Sequence, residues 1–160
     1  MKIHQDDRLL IERIIAKALV CRVAASVDDR PYLVPLSFGY DGKAFYFHTA
    51  PAGKKIDYWR GNPRICFELE GDVQIKEADK ACEWTMLYES VIGYGVISEI
   101  TDPLEKEAAL KEIMRHYSEK SEWQFEAAQT AKARLWKLTV EKMTAKSNRI
   151  ISHAVGSSVS

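Results

Sequence analysis

Cysteine is scarce, the charges cancel, and no apolar run is long. The 160 residues carry only Cys21, Cys66 and Cys82, an odd number with no C-x-x-C spacing, which argues against a disulfide framework and against a zinc ribbon. Cys21 and Cys66 each stand in an apolar strand-like run and read as small buried hydrophobes. Cys82, before Glu83 and Trp84, fits no face, so a surface thiol and a site residue both stay open. Lysine and arginine number 23 against 23 acidic residues, leaving no surplus positive field to hold nucleic acid by counterion release. Any anion site must then be local, built from one or two lysines and a helix end. No stretch approaches the roughly 18 to 20 apolar residues that span a bilayer, and the opening MKIHQDDRLLIERIIAKA is amphipathic rather than basic then apolar. The reading is a soluble, cytoplasmic protein with no membrane and no nucleic-acid partner. No G-x-S-x-G elbow, Walker loop or G-x-G-x-x-G occurs, so hydrolase, NTPase and Rossmann readings have no support. His4, His116 and His153 have no carboxylate or cysteine at ligand spacing, and no metal site is expected. There is no internal repeat or low-complexity linker. The length suits one domain over residues 1–150, with 151–160 a frayed tail.

What is present is a run of strand signals. Leu9, Leu10, Ile14, Ile15 and Ala18 recur at helical spacing after Asp6, a candidate N-cap, and predict one amphipathic helix. LVCRVAAS at 19–26 and YLVPLSFGY at 32–40 read as strands about a turn at Asp28-Asp29-Arg30-Pro31. Asp41-Gly42 then signals a hairpin into AFYFHT at 44–49. A loop and short helix in PAGKKIDYWRGNP stop at Gly61-Asn62-Pro63, before a strand at 64–70. Residues 71–87 give no clear assignment. YESVIGYGVISEI at 88–100 has the β-branched content of a long strand, and Gly93 and Gly95 mark a bend or the close approach of another backbone. A proline-initiated helix follows with Leu104, Ala108, Ile113 and Met114 as its core stripe, then a short helix in SEWQFEAAQ and a closing strand in RLWKLTVEKMTAKS. About six antiparallel strands with inserted helices predict a mainly β fold, a closed or nearly closed barrel.

Three features can carry chemistry. Pro35 inside a strand removes a ladder donor, which only an edge or a bulge tolerates, so the backbone from Val34 to Ser37 can offer unpaired groups to a flat heterocycle. Gly53, Lys54 and Lys55 open a short helix, where free amides and two ammonium groups make a workable phosphate site. On 44–49, Tyr46 and His48 share one face and Phe45, Phe47 and Thr49 the other, so His48 is placed to donate a proton or hydrogen bond to a substrate oxygen, the one candidate catalytic residue. Each has a plainer alternative: an edge proline, a solvated lysine pair, a surface histidine. Trp59, Trp84, Trp123 and Trp136, with Phe38, Tyr40, Phe45 and Tyr46, are more apolar surface than a small barrel easily encloses. Dimerisation explains the surplus economically; filling of the monomer core is the alternative.

The order of these pieces resembles the 5-nitroimidazole reductase (Nim) branch of the pyridoxamine-phosphate-oxidase-like FMN-binding split barrels. The match runs through ALVCRVAASVDDRPYLVPLSFGYDGKAFYFHTAPAGKKIDYWRGNPRICFELE and CEWTMLYESVIGYGVISEITDPLEKEAALKEIMRHY, residues 18–70 and 82–117. The resemblance implies a split β-barrel homodimer with FMN at the subunit interface. Val34, Pro35, Leu36 and Ser37 would run along the isoalloxazine; Phe47, His48 and Thr49 would line its pocket; Lys54 and Lys55 would hold the phosphate. Trp84, Tyr88 and Ser90 would reach the flavin from the partner, with Lys146 and Arg149 on the phosphate or substrate side. The implied activity is an FMN-dependent oxidoreductase acting on a small acceptor such as a nitroaromatic; the alternative is flavin or haem binding for storage or sensing, with haem or a deazaflavin as alternative cofactors. The arginine-rich C-terminal substrate segments of true pyridoxamine-phosphate oxidases are missing, which disfavours vitamin B6 phosphate oxidation.

Overall fold

A computed structural model describes the backbone of residues 2–4 and the whole of residues 7–149. Asp6 and the tail predicted for 151–160 lie outside the described residues. Helix α1 (Arg8–Lys17) starts one residue later than the predicted cap would place it. Asp7 accepts the Leu10 amide at 3.0 Å and satisfies a first-turn donor, while Leu10, Ile11, Ile14 and Ile15 are buried along one face.

After α1 come β2 (Cys21–Val27) and β3 (Arg30–Leu36), with β1 (Lys2–His4) ahead of them in the chain. The β2–β3 turn is tighter than predicted. Asp28 and Asp29 both take positive φ, 50° and 58°, which matches the strand twist, so Arg30 and Pro31 already belong to β3. The strand predicted for 32–40 is split. Strand β3 ends at Leu36, and β4 (Gly39–Tyr40) pairs instead with β5 (Ala44–Thr49). Helix α2 (Lys54–Gly61) leads to β6 (Arg64–Lys76), β7 (Thr85–Ile100), α3 (Pro103–Tyr117), α4 (Ala127–Lys132) and β8 (Arg134–Ser147).

All pairings are antiparallel, in the order β3-β2-β6-β7-β8-β5-β4, with β1 added beside β8. The two ends of this path, β3 and β4, are separated in the chain by Ser37 and Phe38 alone. The sheet must therefore curl until its edges meet, although no hydrogen-bonded ladder closes the ring. Phe38, Phe45, Phe47, Phe67, Leu69, Val91 and Leu138 fill the enclosed core, with Trp59 and Trp136 packed edge to face at 5.1 Å.

The unassigned segment 71–87 proves to be the outer half of a long β6–β7 hairpin. A two-residue bulge at Gly71 and Asp72 restores alternation, so that Val73 pairs Tyr88 and Ile75 pairs Met86 on the outward face shared by Ile92 and Tyr94. The predicted close approach at the β7 glycines is real: a Cβ on Gly95 would lie 2.2 Å from the Thr139 carbonyl oxygen, and one on Gly93 would lie 2.3 Å from the Phe67 ring.

Helix α3 buries only part of the predicted stripe. Ile113 packs inward and Met114 is half-buried, but Leu104 and Ala108 are exposed, and Lys106, Ala109 and Leu110 face the sheet in their place. Lys106 buries its methylene stem and donates from Nζ to the Ala131 carbonyl at 2.9 Å, which ties α3 to the last turn of α4. Helix α4 begins six residues after the start of the predicted SEWQFEAAQ segment. No helix among the described residues is long and apolar enough to cross a membrane.

Candidate functional site

Strand β3 is an edge strand, as its proline implies. Pro31 and Pro35 share one parity, opposite Ser26 and Arg22 of β2. A proline cannot donate into the ladder, so positions of that parity turn their backbone groups to the free edge. There the carbonyls of Pro31, Leu33 and Pro35 stand with the Leu33 amide as the donor of that parity. The side chains of Val34 and Leu36 point inward against the core, and Pro35 and Ser37 are exposed.

On β5 the alternation holds as predicted. Phe47 is fully buried and Thr49 nearly so, while His48 is exposed opposite Leu135. Phe47 and Thr49 thus offer a ligand their backbone rather than their side chains. The β4–β5 register, Gly39 with Tyr46, runs the Ser37 link toward the level of His48. In this way the β3–β4 connection brings two segments of the site together.

Helix α2 starts at Gly53 with φ 140° and no side-chain cap. Its first-turn amides are free of a competing side chain, and a Cβ on Gly53 would meet nothing within 4 Å beyond its chain neighbours. Lys54 directs its ammonium over the Tyr32 ring at 4.9 Å and the Tyr58 ring at 5.8 Å; Lys55 is half-buried beside it. This corner, with its edge backbone, uncapped helix and two ammonium groups, is chemically suited to a planar heterocycle carrying one phosphate.

The remaining predicted residues do not join this corner within one chain. Trp84 is exposed on the hairpin arm, with its indole donating to the Ala78 carbonyl at 2.6 Å. Ser90 pairs with Lys146, whose ammonium lies 5.8 Å from the Tyr88 ring, and the Tyr88 amide donates to Asn148 Oδ1 at 2.8 Å while its carbonyl accepts from the Asn148 amide at 3.3 Å. Arg149 lies at the far end of β8, with its Nε buried and unpartnered among the described residues. Lys146 and the His48 level on β8, at Leu135, are separated by about 35 Å of strand at the ~3.3 Å rise per residue.

Two predictions need correcting. Cys66 is not a core residue: it faces outward and half-exposed beside Tyr94, whereas Cys21 is buried and burial pushes its thiol pKa up. Cys82 is exposed on a single 3-10 turn at Ala81–Glu83. Most of the aromatic run also lies in the monomer core, so the surplus used to argue for dimerisation shrinks to Trp84 and the half-buried Trp123. Exposed apolar side chains occur elsewhere instead. Leu33, Ile92, Tyr94 and Val96 share the outer sheet face with the arm's Val73, Ile75 and Met86, and a cleft of about 340 Å³ opens among Ala24, Pro31, Cys66 and Tyr94. Among the described residues no group of three or more His, Cys, Asp or Glu side chains is placed to hold a metal ion.

Sequence reasoning passed over Tyr32 and Tyr58, although Lys54 and Tyr58 stand at i,i+4 on one helix face. It also passed over His116 and Tyr117. Nothing local signals their role, because their partners lie 79 and 98 positions away.

Residues 7–147 match the family model described as pyridoxamine 5'-phosphate oxidase. The chain belongs to this family. Within the wider structural family it is similar to a candidate 5-nitroimidazole antibiotic resistance protein of Bacteroides thetaiotaomicron, with 30% identity over 90% of this chain and 85% of that one and a TM-score of 0.79. The FAD and heme binding protein of Mycobacterium smegmatis shares the fold at 14% identity, covering 92% of this chain and 73% of that one with a TM-score of 0.78. An uncharacterised protein of Rhizobium meliloti is 34% identical over 56 residues, so the match spans about a third of that relative, 36% of its length, and 35% of this chain. The curled, unclosed antiparallel sheet is the split barrel of these structural neighbours.

Proposed function

We propose that this protein is a cytoplasmic, FMN-binding oxidoreductase that works as a homodimer and reduces a small acceptor of the nitroaromatic class. The observation that carries the reading is the uncapped N-terminus of α2, with Lys54 and Lys55, set beside the free edge of β3. Lys55 and the α2 amides would hold the phosphate, and the β3 edge from Leu33 to Ser37 would meet the polar rim of the isoalloxazine. Bound FMN would supply hydride or single-electron transfer. The chain's own part is to fix the ring, back it with the β5 backbone at Phe47 and Thr49, and present the His48 imidazole as a proton or hydrogen-bond donor toward a substrate oxygen.

A second copy is part of the proposal. The exposed apolar side chains of the outer face extend onto the hairpin arm, a surface of the kind that marks an interaction site. It is crossed by Arg22, which pairs with Glu68 at 3.0 Å and Glu70 at 3.2 Å. Pairing two such faces would let the arm's Trp84, Tyr88 and Ser90, with Lys146 and Arg149, approach the partner's flavin.

FMN titration of Lys55→Ala tests the phosphate assignment. The expected result is a loss of affinity of about ten to a hundredfold, as for one or two lost charge-assisted contacts. Unchanged affinity contradicts it. A second reading, a flavin- or haem-binding protein without turnover, is favoured by one fact: among the described residues His48 makes no hydrogen bond or ion pair that would orient it. Retained FMN that nicotinamide donors cannot reduce would support that reading.

A further inference from the structure

The two residues that tie the barrel's edges together, Ser37 and Phe38, are gripped by the last turn of α3. Phe38 is fully buried and rests against the His116 ring at a centroid distance of 4.2 Å. Its amide donates to the Tyr117 hydroxyl at 3.0 Å, and that hydroxyl donates onward to the Leu19 carbonyl at 2.8 Å. One residue earlier in the helix, His116 Nε2 lies 2.7 Å from the Ala18 carbonyl, a contact in which the ring nitrogen must be the donor. Gly39 completes the grip: a Cβ there would fall 2.5 Å from the backbone of Glu112 and Ile113, so β4 lies directly on the helix. Two separate crossings of the chain, 18–19 and 37–38, are thereby held to one helical turn.

We propose that His116 and Tyr117 are positioning residues for the cofactor, acting through the Ser37–Phe38 link on the β3 edge. The inference rests on the flavin reading above, in which that edge meets the isoalloxazine. A free strand edge has no neighbouring strand to fix it, and the last residues of β3 are paired on one side only. What sets the place of Leu36 and Ser37 is then the anchor immediately after them. The Tyr117 hydroxyl satisfies the Phe38 amide, and without it that amide must find water or shift the link. Neither residue touches the flavin in this account; they decide where the backbone that does touch it stands.

The test begins with FMN binding by the wild-type protein. Wild type that retains no FMN overturns the flavin reading and this inference with it, before any substitution is made. With FMN bound, Tyr117→Phe keeps the ring and removes only the hydroxyl. It is expected to weaken FMN binding about three to tenfold, to change the visible circular dichroism of the bound flavin, and to speed hydrogen exchange of the Phe38 amide by about tenfold or more. His116→Gln keeps a donor for Ala18 but removes the ring from Phe38, and a smaller change in the same direction is expected; it serves if Tyr117→Phe does not fold. Glu107→Gln on the solvent side of α3, which loses only the pair with Lys111, should match wild type in all three readouts. Faster exchange at Phe38 with wild-type affinity and dichroism would overturn the proposal, leaving a clamp that is structural only.

Discussion

The indole N–H of Trp136 donates to the Thr49 hydroxyl at 3.2 Å, and that hydroxyl donates to the Ala50 carbonyl at 3.0 Å. The pair adds a side-chain tie between the end of β5, where His48 is displayed, and its ladder neighbour β8. Thr49→Val keeps the shape and deletes the acceptor, stranding a buried N–H. The expected cost is about 1 to 3 kcal/mol in urea unfolding, with Thr49→Ser costing clearly less because it keeps the hydroxyl. Equal stability of the Val and Ser variants would contradict this role.

A second relationship is asymmetric. Glu89 is buried at 2% exposure, and its carboxylate pairs with Arg13, which keeps much of its side chain in water. Removing the arginine leaves a buried charge alone, whereas removing the carboxylate lets the arginine resolvate. Arg13→Ala should therefore cost about 2 to 4 kcal/mol and Glu89→Gln less, as read by chemical denaturation. The reverse order would show that Glu89 is solvated in the folded protein.

The hairpin carboxylate of Asp41 sets a pH dependence. Partial burial alone would raise its pKa, but acceptance from the Tyr46 hydroxyl at 2.7 Å and from the Ala44 and Lys43 amides at 2.8 Å outweighs that and holds it below its usual value. Because the folded pKa lies below the unfolded one, the stabilisation is present in full above the unfolded value, about 3.9, and is lost as pH falls through the folded value. Asp41→Asn should lower the melting temperature at neutral pH and flatten the acid limb below about pH 4. A variant whose acid limb runs parallel to wild type would contradict the assignment.

These relationships also mark what the sequence could and could not announce. Strand alternation set Phe47 and His48 on opposite faces without choosing which was core, the Asp-Gly hairpin was found, Pro35 implied an edge or a bulge, and Gly93 and Gly95 announced a bend or a close backbone approach. All of these depend on the period of two or on local backbone chemistry, which a sequence carries directly. The hairpin arm at 71–87 was hidden because the bulge at Gly71-Asp72 breaks the alternation that signals a strand. The core face of α3 was read correctly at Ile113 and wrongly at Leu104 and Ala108, because a lysine, Lys106, stands in its stripe in place of an apolar residue. The grip of His116 and Tyr117 on residues 18–19 and 37–38 depends on tertiary contact alone, and no spacing announces it. The candidate site was legible where it is linear, in 34–37, 47–49 and 53–55. Its second half, on β7 and β8, stands far up the strand from His48, and its place beside a flavin belongs to the proposed dimer.

The most direct test of the central claim is the visible absorption spectrum of the purified protein after incubation with FMN and removal of the excess. The account predicts a retained two-banded oxidised-flavin spectrum, bleached on reduction, at a stoichiometry of one FMN per chain. A Soret band, or a colourless protein after desalting, would contradict it.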